Sequence, residues 1–265
     1  MTGGSLADGG GQGRPARLSL WWTPTGDYCA NSDIGVLTVE EKAKCARYRR
    51  EKDRTACLAS RLLVRRVLSG LCGKAPEELV FGQGAHGKPM LLADDGNPCP
   101  VRFNLSHSAD LVMLAASTET GVGVDAEKIA DRADIAMIAR RFFSPDEALE
   151  LSALSGGERL ERFLALWTLK EAAMKALGGG IFLGLAGIRF SFLSGGLTGF
   201  SLAGGFPKEA KNLNFALFEP CEGYVAAVAA FGEFSLEVFR AGSEGRAEKS
   251  PPVLIARTPG FHLLP

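Results

Sequence analysis

Gly121–Lys128 reads GVGVDAEK, and its alternation is that of a β-strand. Val122, Val124 and Ala126 share one face, while Gly123, Asp125 and Glu127 share the other. Such a strand stands between an apolar core and something polar. Two carboxylates at i and i+2 converge on one point in space. Hard oxygen donors with no His or Cys beside them suit Mg²⁺, which takes one or two protein carboxylates and fills its octahedron with waters and substrate phosphates. The substrate implied is a phosphate ester. The same spacing equally describes a solvent-facing strand end.

Upstream, LSLWWTP (18–24), VRFNLSHS (101–108) and LVMLAAS (111–117) read as strands, and PEELVFGQGAHGKPML (76–91) as a helical turn followed by strand, loop and strand. The charged segment from Thr38 carries a Thr-x-x-Glu start signal at Thr38 and Glu41 and glycine stops at Gly70 and Gly73, which fits one or two helices. Downstream, a helix is expected around Asp134–Phe142, and SPDEALELSAL (144–154) begins with an N-cap and first turn. LWTLKEAAMKALGGG (166–180) is a third helix ended by glycine. Phe163, Leu166, Trp167, Met174 and Leu177 form its apolar stripe, and Lys170 falls in the middle of that stripe, where lysine is seldom left without a partner. Glu171 and Lys175 lie one turn apart at its edge, as an i,i+4 pair or aimed together at a ligand. GIRFSFL (187–193), NFALFEP (214–220), YVAAVAAF (224–231) and FSLEVFR (234–240) are further strands.

Strands and helices mix without strict β-α-β alternation, so the fold class expected is α+β. Residues 18–116 and 117–240 each hold helices and three or four strands, which predicts two similar α/β-type subdomains packed around a cleft, the second carrying the metal site. Residues 1–17 are expected to be a disordered tail and 241–265 an extended C-terminal tail. Lys plus Arg (30) balances Asp plus Glu (30), which argues against a nucleic-acid partner. No apolar run reaches the ~18 to 20 residues of a membrane span. Six cysteines without a short C-x-x-C pair and three scattered histidines predict reduced thiols in a cytoplasmic protein, with neither a disulfide framework nor a zinc site.

Three further groups are candidates for chemistry. Ser106, His107 and Ser108 offer hydroxyls, an imidazole and backbone donors at a strand-to-loop junction, suited to a phosphate or its leaving oxygen; a backbone-bonded structural histidine is the other reading. Adjacent Ser and His make a poor nucleophile–base pair, since those partners normally meet from distant parts of a chain. Lys88, between Gly87 and Pro89, suits a phosphate point charge or a surface turn. The basic run from Lys42 to Arg54 is interleaved with acids and is mostly a solvated helix face.

The order GKP, FNLSHS, GVDAE, FFSPDE, LWTLKEAAMKALGGG resembles the motif series of the 4′-phosphopantetheinyl transferases, specifically their larger, Sfp-like branch, from about Leu37 to Gly184. The resemblance implies transfer of the phosphopantetheine arm of coenzyme A to a serine of an apo acyl- or peptidyl-carrier protein, leaving adenosine 3′,5′-bisphosphate. It implies Mg²⁺ held by Asp125, Glu127 and Glu171, with Glu171 also a candidate general base and Lys175 near the α-phosphate. Lys88, Ser106 and His107 would contact coenzyme A, joined by Lys44 and by Arg54 of DRTACLASR. Ala56 and Cys57 depart from the Arg-Thr pair common in relatives. Lys170 is expected to cross the interface between the halves to a carboxylate or phosphate. The implied protein is a cytoplasmic monomer; a coenzyme A-binding module without turnover and a Mg²⁺-dependent phosphodiesterase are the alternatives.

Overall fold

The computed structural model describes residues 14–28, 34–84, 87–178, 184–193, 196–242 and 246–264. One sheet contains β1 (Ala16–Pro24), β4 (Arg102–Ser108), β5 (Leu111–Ser117), β11 (Phe234–Ala241), β12 (Ala247–Lys249) and β14 (Phe261–Leu263). Its order is β12-β11-β1-β5-β4, with β14 also paired to β11. The second sheet contains β6 (Val122–Lys128), β9 (Leu213–Glu219), β10 (Tyr224–Phe231) and β13 (Val253–Arg257), in the order β13-β9-β10-β6. Two hairpins, β2 (Val80–Gln83) with β3 (Pro89–Leu92) and β7 (Ile188–Leu193) with β8 (Gly196–Leu202), complete the strands.

The sheets share one apolar core on their inner faces, where Leu20, Met113 and Phe234 meet Val124, Phe218 and Val228. The outer face of the first sheet packs under α2 (Glu51–Cys72), through Val112, Leu114, Leu62 and Leu63. The outer face of the second packs under α5 (Gly156–Leu177), flanked by α3 (Ile135–Phe142) and α4 (Pro145–Ala153). This layering explains the uninterrupted apolar runs in the sequence. β5 and β10 are covered on both faces, so their alternate residues fill two different cores. Two α/β subdomains packed together is therefore the observed architecture, as expected.

Local signals hold at the helix ends. Thr38 and Glu41 form a capping box at α1 (Val39–Ala46), as do Ser144 and Glu147 at α4. Gly73 and Gly178 end α2 and α5 in the left-handed conformation, with φ of 68° and 70°. Gly70 lies inside α2 and stops nothing; Gly179 and Gly180 lie outside the described residues.

The chain's end departs from expectation. Phe234–Ala241 crosses back to the first sheet, where β11 runs parallel to β1 from Ala16↔Phe234 to Trp22↔Arg240. The boundary placed at residue 240 and the extended tail beyond it are both corrected, since β12, β13 and β14 extend the two sheets. The reason is edge satisfaction: without β11, β1 would leave a row of backbone groups unpaired. Of the expected N-terminal tail, residues 1–13 lie outside the described ones, whereas Ala16 and Arg17 begin β1. Cys45 and Cys57 are joined in a disulfide between α1 and α2, correcting the expectation of wholly reduced thiols.

Lys170 is fully buried, and it is not a cofactor contact. Its ammonium pairs with Glu147 Oε2 at 2.8 Å and donates to the carbonyls of Leu185, at 3.1 Å, and Ile188, with the Phe143 ring 5.1 Å away. A carboxylate was expected, but Glu147 belongs to the same subdomain. The pair joins α4, α5 and the start of β7, because Glu147 also accepts from Ser144 N–H and Phe190 N–H. Burial pushes the Lys170 pKa down, and the Glu147 carboxylate opposes that.

α5 lies against β6 at Gly123, where a Cβ would stand 2.0 Å from the Ala172 carbonyl oxygen and 2.4 Å from the Ala176 nitrogen. Gly123→Ala is expected to cost roughly 3 kcal/mol or more, because backbone and not a movable side chain blocks the methyl; urea unfolding of the two proteins measures this. Lys170→Ala should cost about 3–5 kcal/mol by stranding Glu147. A Lys170→Met, Glu147→Leu double variant should recover only part of that loss in the same assay, because it removes the partners of the Ser144 and Phe190 N–H groups and of the Leu185 and Ile188 carbonyls.

Candidate active site

β4 and β6 lie at the edges of their respective sheets and are joined by side chains. Asn104 Oδ1 accepts from Val124 N–H at 2.9 Å, Ser106 Oγ from Ala126 N–H at 3.3 Å, and Ser108 Oγ from Lys128 N–H at 3.1 Å. Every second residue of NLSHS thus supplies an oxygen to every second N–H of GVDAEK. The seryl hydroxyls also donate onward, Ser106 to Asp125 Oδ1 and Ser108 to Glu127 Oε2, each at 2.9 Å. The junction between the subdomains therefore aims the two carboxylates.

Cations complete the arrangement. Lys175, from α5, pairs with Asp125 Oδ1 at 2.7 Å and also donates to Ser106 Oγ and to the Val124 carbonyl. Arg132 pairs with Glu127 Oε2 at 2.7 Å. Burial pushes the Asp125 pKa up, against the pull of Lys175 and Ser106. Glu171 is raised first by burial and then by the negative charge of Asp125. Asp125, Glu127, Glu171, Lys175 and Ser106 are thus brought to one neighbourhood. Asp125 Oδ2 is buried and has no hydrogen-bond partner among the described residues. That orphaned oxygen, beside a second carboxylate with a raised pKa, is the donor chemistry a hard divalent cation would satisfy. Among the described residues no group of three or more His, Cys, Asp or Glu side chains is gathered tightly enough to hold a metal.

The opposite face of β4 looks elsewhere. Phe103, Leu105 and His107 line a cavity of about 810 Å³, whose other walls include Lys44 and Tyr48 near α1, Lys52 and Arg61 of α2, and Gly87 and Pro89 beside β3. Lys44 and His107 fall in this wall, and His107 is exposed to it. Ser106, Lys88 and Arg54 do not line it. Ser106 is buried and committed to β6. The Lys88 ammonium turns to the carbonyls of Lys175, at 2.6 Å, and Val122, at 3.3 Å, tying the β2–β3 hairpin to the end of α5. Burial, with the Arg102 charge adding to it, lowers its pKa to about 8. Arg54 donates to the carbonyls of Tyr48 and Arg49, both at 3.0 Å, and closes the turn between α1 and α2.

Asn104 and Arg132 were not singled out from the sequence as parts of the site. A signal was present for Asn104, which is polar and in phase with Ser106 and Ser108 on a strand where Phe103 and Leu105 alternate with them. Arg132 had none, since it follows the strand in a polar loop.

Residues 121–229 match the family model of the 4′-phosphopantetheinyl transferase superfamily, and residues 21–119 match that of the 4′-phosphopantetheinyl transferase N-terminal domain. A putative 4′-phosphopantetheinyl transferase of Synechocystis sp. is 36% identical over 166 residues, covering 63% of this chain and 67% of its own length. The 4′-phosphopantetheinyl transferase HetI of Nostoc sp. is 34% identical over 149 residues, 55% of this chain and 61% of its own. A 4′-phosphopantetheinyl transferase of Bacillus subtilis is 30% identical over 152 residues, 57% and 65% respectively. The matches to these last two thus span a little under two thirds of each relative. With both halves matched, and with the motif residues gathered at the junction of β4, β6 and α5, the chain belongs to the 4′-phosphopantetheinyl transferase superfamily.

Proposed function

We propose that this protein transfers the 4′-phosphopantetheine arm of coenzyme A to a serine hydroxyl of an apo acyl- or peptidyl-carrier protein, releasing adenosine 3′,5′-bisphosphate. The observation that carries this reading is the pairing of the Asp125–Ser106–Lys175 cluster, with its unpartnered Asp125 oxygen, to a cavity on the other face of the same strand whose wall holds Lys44, Lys52, Arg61 and His107 together with Glu41, Asp53 and Asp110. The cavity volume falls in the range of ligand sites. Lys44, Lys52 and Arg61 suit the phosphates of a nucleotide, with His107 at the same wall.

In the reaction the carrier serine oxygen attacks the β-phosphorus of the pyrophosphate, and the bond to the leaving bisphosphate breaks. Negative charge grows on the departing phosphate and must be met by fixed positive charge. Lys175 is held for that role by Ser106 and the Val124 carbonyl. Glu171, whose pKa burial raises, is suited to take the serine proton. Mg²⁺ would be held by Asp125 through its free oxygen, with Glu171 and Glu127 as the neighbouring acids, and when bound would neutralise charge on the pyrophosphate. The role of Lys88 is then to brace the end of α5, and that of Arg54 to shape the turn behind Lys44. Carrier docking is assigned to α3 and α4, where Met137 and Leu149 are exposed beside Arg140 and Arg141, facing an acidic carrier helix. The enzyme is proposed to act as a monomer in the cytoplasm. Among the described residues no helix is long and apolar enough to cross a membrane.

Incubation with coenzyme A, Mg²⁺ and a panel of apo carriers should add the phosphopantetheine mass to at least one carrier, read by intact-protein mass spectrometry. No gain on any carrier, beside a working control enzyme, rejects the reading; release of free phosphopantetheine without a carrier would indicate a phosphodiesterase. Glu171→Gln should lower turnover by about 10²–10⁴-fold. Lys88 is lowered in the folded state, so the unfolded chain holds more protons between pH 8 and 10.5, and its contribution to stability rises with pH across that window. Stability curves of the parent and Lys88→Met proteins over that range should differ by this slope.

A further inference from the structure

The disulfide Cys45–Cys57 lies at the cavity described above. Cys57 is in its wall, on the same helix as the wall residues Lys52, Ala56, Ser60 and Arg61, while Cys45 is buried at the end of α1. We propose that this pair is a thiol–disulfide exchange site, with low-molecular-weight disulfides and dithiols as its substrates, and that its redox state sets how firmly the α1 wall is held. In oxidation, the Cys57 thiolate attacks one sulfur of a disulfide RSSR and expels RS⁻, giving a mixed disulfide. The Cys45 thiolate then attacks Cys57 Sγ and expels the second RS⁻. Two thiols are oxidised, one RSSR is reduced to two RSH, and the two cysteine protons pass to the two leaving thiolates.

The mechanical consequence follows from how α1 is anchored. It has only eight residues, too few to persist without tertiary support. Its N-terminal half is held by Glu41, which pairs with Arg65 at 2.7 Å and Arg61 at 3.6 Å. Its C-terminal half, with Lys44 and the turn bearing Tyr48, is held by the disulfide and by Arg54 on the turn carbonyls. Opening the disulfide releases the segment that carries Lys44 and Tyr48 into the cavity wall.

The test compares the full-length protein after equilibration with glutathione disulfide and with dithiothreitol. Peptide mapping of the oxidised form should recover a linked pair containing Cys45 and Cys57, and the reduced form should show two more titratable thiols. Hydrogen exchange in residues 39–50 should be about tenfold or more faster after reduction, with exchange in β5 unchanged. Cys45→Ala and Cys57→Ser should each exchange at the reduced rate in both buffers; if either fails to fold, the parent comparison alone decides. Absence of the linked peptide, or equal exchange in the two states, overturns the proposal. A further arm rests on the coenzyme A reading: coenzyme A should bind at least about threefold more weakly to the reduced protein. Equal binding overturns the coupling to the ligand. No binding in either state, with exchange still redox-dependent, counts against the coenzyme A reading and leaves the exchange site supported.

Discussion

Along the outer edge of β6, side-chain oxygens of Asn104, Ser106 and Ser108 take the place that a neighbouring strand's carbonyls would fill. This substitution lets two separate sheets meet at their edges without merging into one. Each serine is both acceptor and donor, so the hydrogen bond that closes the sheet edge also orients a carboxylate. The subdomain junction and the polar cluster are one set of bonds. Gly123 adds the third dimension: lacking a Cβ, it lets α5 approach until Lys175 reaches Asp125 and Ser106. A shift of the helix by the width of a methyl group would break that reach.

Three lysines near α5 show how environment divides one residue type among roles. Lys170 is sealed from water, and its three donors go to a carboxylate and two carbonyls; its charge is matched inside the fold and is unavailable to a ligand. Lys88 gives its protons to carbonyls, with no carboxylate beside it among the described residues, and its ammonium is correspondingly less stable. Lys175 is partly exposed and holds a carboxylate whose second oxygen has no partner. Only the last combines a charge, an opening and an incomplete polar neighbour, which is what binding an anion with its cation requires.

Much of this was legible locally. Capping boxes at Thr38 and Ser144, the glycine end of α5, and the alternation of GVGVDAEK depend on residues within one or two turns of each other, and the structure keeps all of them. The motif order, through its resemblance to a known family, is what singled out Asp125, Glu127, Glu171 and Lys175 as a set. What failed to show was long-range. The strands after residue 241 are only three to five residues long, and they become strands because sheet edges are waiting for them. Arg54 and Lys44 sit in the same basic run, yet one closes a turn and the other lines the cavity, a difference set by where the chain folds back between α1 and α2. Cys45 and Cys57 are twelve residues apart with no motif to mark them, and only the packing of the two helices joins them.

By itself, the sequence determined most element types up to residue 240, the faces of their amphipathic segments and the chemistry available, since these follow from side-chain period and donor type. The tertiary structure decided which donors remain free. Lys170 and Lys175, five residues apart on one helix, could be assigned opposite roles only once Glu147 was seen to consume the first and the buried, half-satisfied Asp125 to expose the second. Satisfaction of a polar group depends on everything packed around it, and that sum is not written in any one stretch of chain.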